Sequence, residues 1–189
     1  MTDDFAPDGK LAGAIKGFKP RAPQQVMAQA VTRAIEQQCS LVVEAGTGTG
    51  KTYAYLAPAL RTTKKVIIST GSKALQDQLF NRDLPTIARA LDYTGRLALL
   101  KGRANYVCVE RLEQQVLAGG DLPVQTLSDV MALRQWVSET LDGDTSSCPT
   151  VAEDAQVWPL VTSTNDNCLG ADCPRYQDCF VVKARKKAM

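Results

Sequence analysis

Apolar positions along this chain change their period part-way, and the change divides it. Residues 23–38 carry Val26, Met27, Ala30, Val31, Ala34 and Ile35 at the three-and-four spacing that places them on one stripe of a helix. Pro23 sits in the first turn, where its missing N–H does no harm. Short continuous apolar runs follow at 40–44, 65–70 and 96–101, each the length of a buried strand. Between them lie helical stretches at 53–60, at 72–80 with Ser72 as the N-cap, and after Pro85. Strands alternating with helices predict an α/β fold, a parallel sheet with crossover helices.

From about Gly102 the alternation stops. Residues 110–117 and 125–140 read as helices, the second with Leu127, Val130, Met131, Leu133, Val137 and Leu141 at core positions. Residues 142–176 are rich in Gly, Pro, Asp, Ser, Thr and Asn and show little periodicity. A segment this irregular is expected to need something other than a hydrophobic core to hold it. Residues 1–20, with Pro7, Gly9, Gly17 and Pro20, read as a loose lead-in.

The run 45–52, Ala45-Gly46-Thr47-Gly48-Thr49-Gly50-Lys51-Thr52, has the composition of a phosphate-binding loop with Ala in place of the usual first Gly. Small residues let backbone N–H groups converge on phosphate oxygens. Lys51 adds a cation at the β/γ-phosphates, and the Thr52 hydroxyl can hold Mg²⁺. The predicted strand before the loop and helix after it supply the required context, and the helix N-terminus favours an anion.

Composition adds limits. The 189 residues, 44% hydrophobic and 22% charged, suit one or two soluble globular domains. The net charge of +2 is unevenly spread: residues 1–100 are net basic and 101–189 net acidic, apart from Lys183, Arg185, Lys186 and Lys187. The acidic opening Met1-Thr2-Asp3-Asp4 lacks the features of a signal peptide, and no apolar run approaches the roughly 18 residues of a membrane span. A cytoplasmic protein with reduced cysteines is expected. With no histidine, His-based acid/base catalysis and mixed Cys/His metal sites within this chain are excluded.

Cys39, Cys108, Cys148, Cys168, Cys173 and Cys179 are the six cysteines. Cys39 closes the first helix and reads as a core or half-buried thiol. Cys168-x₄-Cys173-x₅-Cys179 is a tight group in the irregular region, and a fourth soft ligand would come from Cys108 or Cys148. Structural zinc usually takes cysteine pairs two to four residues apart, which fits these spacings poorly. An iron–sulfur cluster accepts more widely spread thiolates, although soft thiolate sites suit either metal.

Taken in order, the loop, the segment Ser69-Thr70-Gly71-Ser72-Lys73-Ala74-Leu75-Gln76-Asp77-Gln78-Leu79, the segment Lys101-Gly102-Arg103-Ala104-Asn105-Tyr106-Val107-Cys108 and the three clustered cysteines resemble the XPD-like, iron–sulfur branch of superfamily 2 DNA helicases, in its bacterial DinG/YoaA group. The resemblance covers nearly the whole chain. It implies a partial RecA-like P-loop motor domain carrying an inserted, mainly helical iron–sulfur domain. The expected division is a lead-in at 1–20, the first half of the motor domain at 21–101, the iron–sulfur domain at 102–180, and a return towards the motor domain at 181–189.

Residue by residue, the resemblance implies that Arg21 and Gln24 lie on the adenine side of ATP and that 45–52 hold ATP and Mg²⁺. Lys51 and Thr52 would be the catalytic members. Thr70, Ser72 and Lys73 would contact the phosphates of single-stranded or forked DNA, with Arg103, Tyr106 and the basic tail along its path. A solvated helix face is the alternative for that tail. Cys108 becomes the fourth ligand of a 4Fe–4S cluster beside Cys168, Cys173 and Cys179, leaving Cys148 outside.

No Asp-Glu-Ala-His stretch occurs, and there is no room for the second motor domain that such a helicase uses to cleave ATP. The chain is therefore expected to be an N-terminal fragment, able to bind nucleotide and a cluster but not to unwind DNA alone. Two other readings are a different P-loop ATPase with a zinc-stapled insert, and a non-catalytic iron–sulfur module that binds DNA.

Overall fold

In the computed structural model, which describes residues 3–189, the chain divides between Arg96 and Leu97 into two units, each with its own buried set. The first contains α1 (Lys10–Ala14), α2 (Ala22–Gln37), α3 (Lys51–Arg61), α4 (Lys73–Gln78), a π-helical turn (Leu79–Asp83) and α5 (Leu84–Ala90). Pro23 stands in the first turn of α2, and Gln38 ends it in the left-handed conformation, with φ 56°. Helix α3 packs on α2 and α5, and α1 on α5. Leu11, Leu56 and Ile87 are wholly buried. Most of the apolar stripe of α2 is half-buried, but Val26 is exposed while Gln24 and Ala28 are buried.

The lead-in is not loose. Phe5 and Leu11 are buried, and the Phe5 ring lies 6.3 Å from Phe18. The Asp4 carboxylate accepts from Arg61 Nε at 3.0 Å and Nη2 at 2.6 Å, and Lys10 pairs with Asp92 at 2.7 Å. Two large side chains in a polar stretch find a core to enter, and that burial outweighs the local Gly and Pro signals.

The predicted strands also differ. Residues 40–44, 65–70 and 96–101 lie in no helix and in no ladder, and isolated antiparallel bridges, Tyr106 with Asp144 and Val107 with Thr162, are the β-pairing among the described residues. Leu41, Val43, Val66 and Leu100 are exposed, Val42 is 97% exposed and Ile67 is 87% exposed. A buried strand needs a neighbour for its N–H and C=O groups and for both faces. Among the described residues these segments join no ladder. Cys39, expected to be a core or half-buried thiol, is exposed beside them.

The second unit holds α6 (Val109–Leu117), α7 (Val124–Glu139), α8 (Trp158–Val161) and α9 (Phe180–Ala188), with 3₁₀ turns at Arg103–Asn105, Gly119–Asp121, Thr145–Ser147 and Gly170–Asp172. Helix α6 packs on α7 and α8. Val130, Leu133 and Trp136 bury one face of α7, whereas Met131 is exposed and Leu141 lies beyond the helix in solvent. The irregular stretch 142–176 contributes Val151, Val157, Trp158 and Val161 to a shared apolar core. It therefore has the hydrophobic anchor its composition concealed. Phe180 and Val181 of α9 enter the same core.

One ion pair is buried within this unit. Lys101 Nζ lies 2.6 Å from Asp144 Oδ2, with side-chain exposures of 2% and 13%, and Lys101 Nζ also donates to Ser146 Oγ at 3.1 Å. Removing one partner strands the other charge away from water, so Asp144→Ala should lower stability by about 3–5 kcal/mol. Urea unfolding of the wild type and the variant measures this. Lys101→Met combined with Asp144→Leu, which removes both charges, should cost clearly less.

Candidate nucleotide loop and thiol cavity

The loop 45–52 leads into α3 through two glycines in the left-handed region, Gly48 at φ 77° and Gly50 at φ 81°. Gly50 is the residue before α3, and a Cβ there would stand 2.2 Å from Gln24 Nε2. Thr49 Oγ1 donates to Gly46 O at 2.9 Å and closes the loop on itself. Lys51 Nζ donates to Ala45 O at 2.6 Å and to Gly46 O at 2.8 Å, so the ammonium is curled over the loop. A cation, a loop of small residues and the N-terminus of an eleven-residue helix thus share one place. That combination is suited to a phosphate chain.

Arg21 and Gln24 reach this loop directly. Arg21 Nη1 donates to Gly48 O, and the buried Gln24 amide donates from Nε2 to Gly50 O at 3.0 Å. Thr52 is hydrogen-bonded to Tyr55, whose phenol is raised above its ordinary pKa mainly by burial, with the Thr52 bond opposing and the Asp83 charge adding to the rise. Thr47 is exposed on the outer side.

Thr70, Ser72 and Lys73 gather at the start of α4. Ser72 Oγ accepts from Leu75 N at 3.3 Å, as an N-cap should, and Thr70 Oγ1 donates to Ser72 O at 3.3 Å. Lys73 is exposed. Asp83, at the end of the π-helical turn, went unnoticed in the sequence because an Asp beside Leu84-Pro85 looks like a cap. It is buried, accepting from Gln78 Nε2 at 3.1 Å and Arg82 Nε at 3.0 Å. After burial, its charge is the next cause raising the Tyr53 phenol.

In the second unit, Cys108, Cys168, Cys173 and Cys179 line one cavity of about 740 Å³. Cys148 stands apart, half-buried against the apolar core with its Sγ 3.5 Å from Thr150 Oγ1. Cys108 immediately precedes α6. Burial pushes its thiol pKa up, the Arg111 backbone N–H opposes this, and Cys173 and Cys179 raise it further. Cys168 Sγ accepts from Arg103 Nη1 at 3.0 Å and Gly170 N at 3.4 Å. Among the described residues no group of three Cys, Asp or Glu side chains stands close enough to hold a single metal ion. The four thiols nevertheless all line the one cavity.

Arg103 and Tyr106, expected along the DNA path, make contacts inside this unit. Tyr106 is buried and its hydroxyl accepts from Lys101 N at 3.0 Å. Arg103 turns its guanidinium to Cys168, and its Nε is buried without a partner. A contact between residues 65 positions apart has no local signal in sequence.

Residues 24–133 match the DEAD/DEAH box helicase family. The chain belongs to that family. The match runs from Gln24 across the loop and on to residue 133, and it supports a RecA-like P-loop fold. This member of the DEAD/DEAH box helicases is 77% identical over 189 residues to the ATP-dependent DNA helicase YoaA of Escherichia coli strain K12, covering 100% of the chain and 30% of that protein. It is 57% identical over 187 residues to the protein of the same name from Haemophilus influenzae, covering 98% of the chain and 29% of the relative. Against the ATP-dependent helicase DinG of Mycobacterium tuberculosis strain H37Rv the identity is 38% over 200 residues, with coverages of 94% and 30%. The chain thus spans about 30% of the length of these curated relatives. Among its described residues, no helix is long and apolar enough to cross a membrane.

The helicase loop depends on its second left-handed glycine. Gly50→Ala should destabilise the first unit by about 1 kcal/mol through its positive φ. Adding Gln24→Ala, which removes the side chain that the new Cβ meets, should leave that loss in place. Thermal unfolding of the two variants checks both statements, and full recovery in the double variant would locate the cost in the clash.

Proposed function

We propose that the chain is the nucleotide-binding, cluster-bearing part of an ATP-dependent DNA helicase that works on single-stranded or forked DNA in the bacterial cytoplasm, with 5′-to-3′ polarity and a role in DNA repair. The observation that carries this reading is the presence, in one chain, of a built phosphate loop and of four thiols gathered on one cavity. Membership of the helicase family and the names of the relatives support it.

At the loop, Lys51 would exchange its two carbonyl partners for phosphate oxygens, and the Thr52 hydroxyl would turn to Mg²⁺. Arg21 and Gln24 would hold the loop from the side on which the adenine lies. Thr70, Ser72 and Lys73 would meet DNA phosphates. The extended segments 40–44, 65–70 and 96–101 would pair into a parallel sheet in the complete motor domain, a reading supported by their exposed apolar side chains. Residues 102–180 would form the inserted iron–sulfur domain, with 1–20 as lead-in, 21–101 as the first part of the motor domain and 181–189 turning back towards it.

The thiol set suits a 4Fe–4S cluster. Its donors are all soft and they share one cavity. Cys108, Cys168, Cys173 and Cys179 would hold the cluster, which when bound would staple α6 to the loop ahead of α9 and supply a one-electron centre. Arg103 would donate to the Cys168 sulfur.

Lys51→Ala should weaken MgATP binding by about tenfold or more, the scale of a lost charge-assisted contact. Titration with a fluorescent ATP analogue would measure it, and an unchanged affinity would remove the loop from the nucleotide site. Prepared without oxygen, the wild type should hold iron and sulfide in equal amounts. Cys168→Ala should lose both, whereas Cys148→Ala should keep both. Metal and sulfide analysis decides, and zinc without sulfide would favour the zinc-stapled alternative.

A further inference from the structure

Two of the thiols on the cavity are carried by a short turn. Tyr176 N donates to Cys173 O at 3.0 Å, Asp178 N to Arg175 O at 3.1 Å and Cys179 N to Tyr176 O at 3.3 Å, so residues 173–179 hold their own shape. These bonds set the curvature of the turn but not its position relative to Cys108. Cys179, Phe180 and Val181 anchor its far end in the apolar core, and Arg175 ties its near end to α6. The guanidinium grips Glu113 of α6 with both edges, Nε to Oε2 at 2.7 Å and Nη2 to Oε1 at 2.6 Å. Glu113 lies little more than one helical turn beyond Cys108. The pair therefore joins α6 to the 173–179 turn at a point five residues from one thiol and two from another.

We infer that the Glu113–Arg175 pair is a latch that holds the 173–179 turn against α6, making both residues positioning residues that govern how readily the thiol set keeps its cluster. This rests on the cluster reading above. Exposed ion pairs usually contribute little, and both side chains here are 44% exposed. The two-pronged geometry is the exception, because it fixes orientation as well as distance. The Glu113 hydrogen bond and charge raise the Arg175 pKa, and Asp178 and Glu110 add to the same acidic field. The latch acts on the thiols' placement before any metal arrives, so its effect belongs to uptake and loss rather than to DNA or nucleotide binding.

The test uses the full chain, loaded anaerobically with ferrous iron and sulfide and then challenged with an iron chelator, with release followed by absorbance. Glu113→Gln and Arg175→Gln should each release iron about fivefold faster than wild type at low salt. The double variant should be no faster than Arg175→Gln, since the two act as one pair. Raising sodium chloride to about 0.5 M should narrow the gap by screening the wild-type pair. The direction for Glu113→Gln is diagnostic. A cluster on four thiolates is anionic, so removing a nearby carboxylate would slow release if long-range charge were the only influence. Unchanged or slower release in Glu113→Gln, or independent and multiplying effects, overturns the latch while leaving the cluster intact. A wild-type chain that takes up no iron overturns the cluster reading and the latch with it.

Discussion

A phosphate loop must point its backbone N–H groups towards a common centre, and an L-residue with a side chain resists the turns this requires. Gly48 and Gly50 remove that resistance. Because they are left-handed, α3 begins at Lys51, the lysine can curl over the loop, and Arg21 and Gln24 find carbonyls to hold. The start of α2, the loop and the start of α3 are thus one construction. Each part supplies the hydrogen-bond partner that another part lacks.

The second unit is organised by a different constraint, the need to place thiols that are far apart in sequence. It does so with an ordinary apolar core of Leu112, Val130, Leu133 and Trp136, to which the irregular stretch adds Val157 and Trp158. Beside that core stands the buried Lys101–Asp144 pair, which fixes the chain just ahead of Cys108. Polar contacts then finish the thiol wall: Arg103 on Cys168, and Glu113 on the turn between Cys173 and Cys179.

What could be read in the sequence follows how local each signal is. Helical periodicity placed α2, α6 and α7 to within a residue or two, and Ser72 caps α4 as its hydroxyl predicts. The loop was legible because its chemistry is written in eight consecutive residues. Pairing was not legible. Whether 40–44 is a ladder strand depends on a neighbour elsewhere, as does the fate of Arg103, whose thiol partner is 65 residues away. Phe5 and Leu11 were hidden by the glycines and prolines around them, and Trp136 by the aliphatic residues that carry the period of α7. Gathering Cys108 with the other three thiols needed the family resemblance, since spacing alone left Cys148 equally eligible.

The bare apolar segments have a practical side. Val42 and Ile67 present branched side chains to water from stretches whose backbone groups have no ladder partner. Such a surface is a template for strand addition by any chain with the same need, another copy included. The chain handled by itself will therefore tend to self-associate as its concentration rises. Its solubility is set less by its net charge than by whether those two segments are covered.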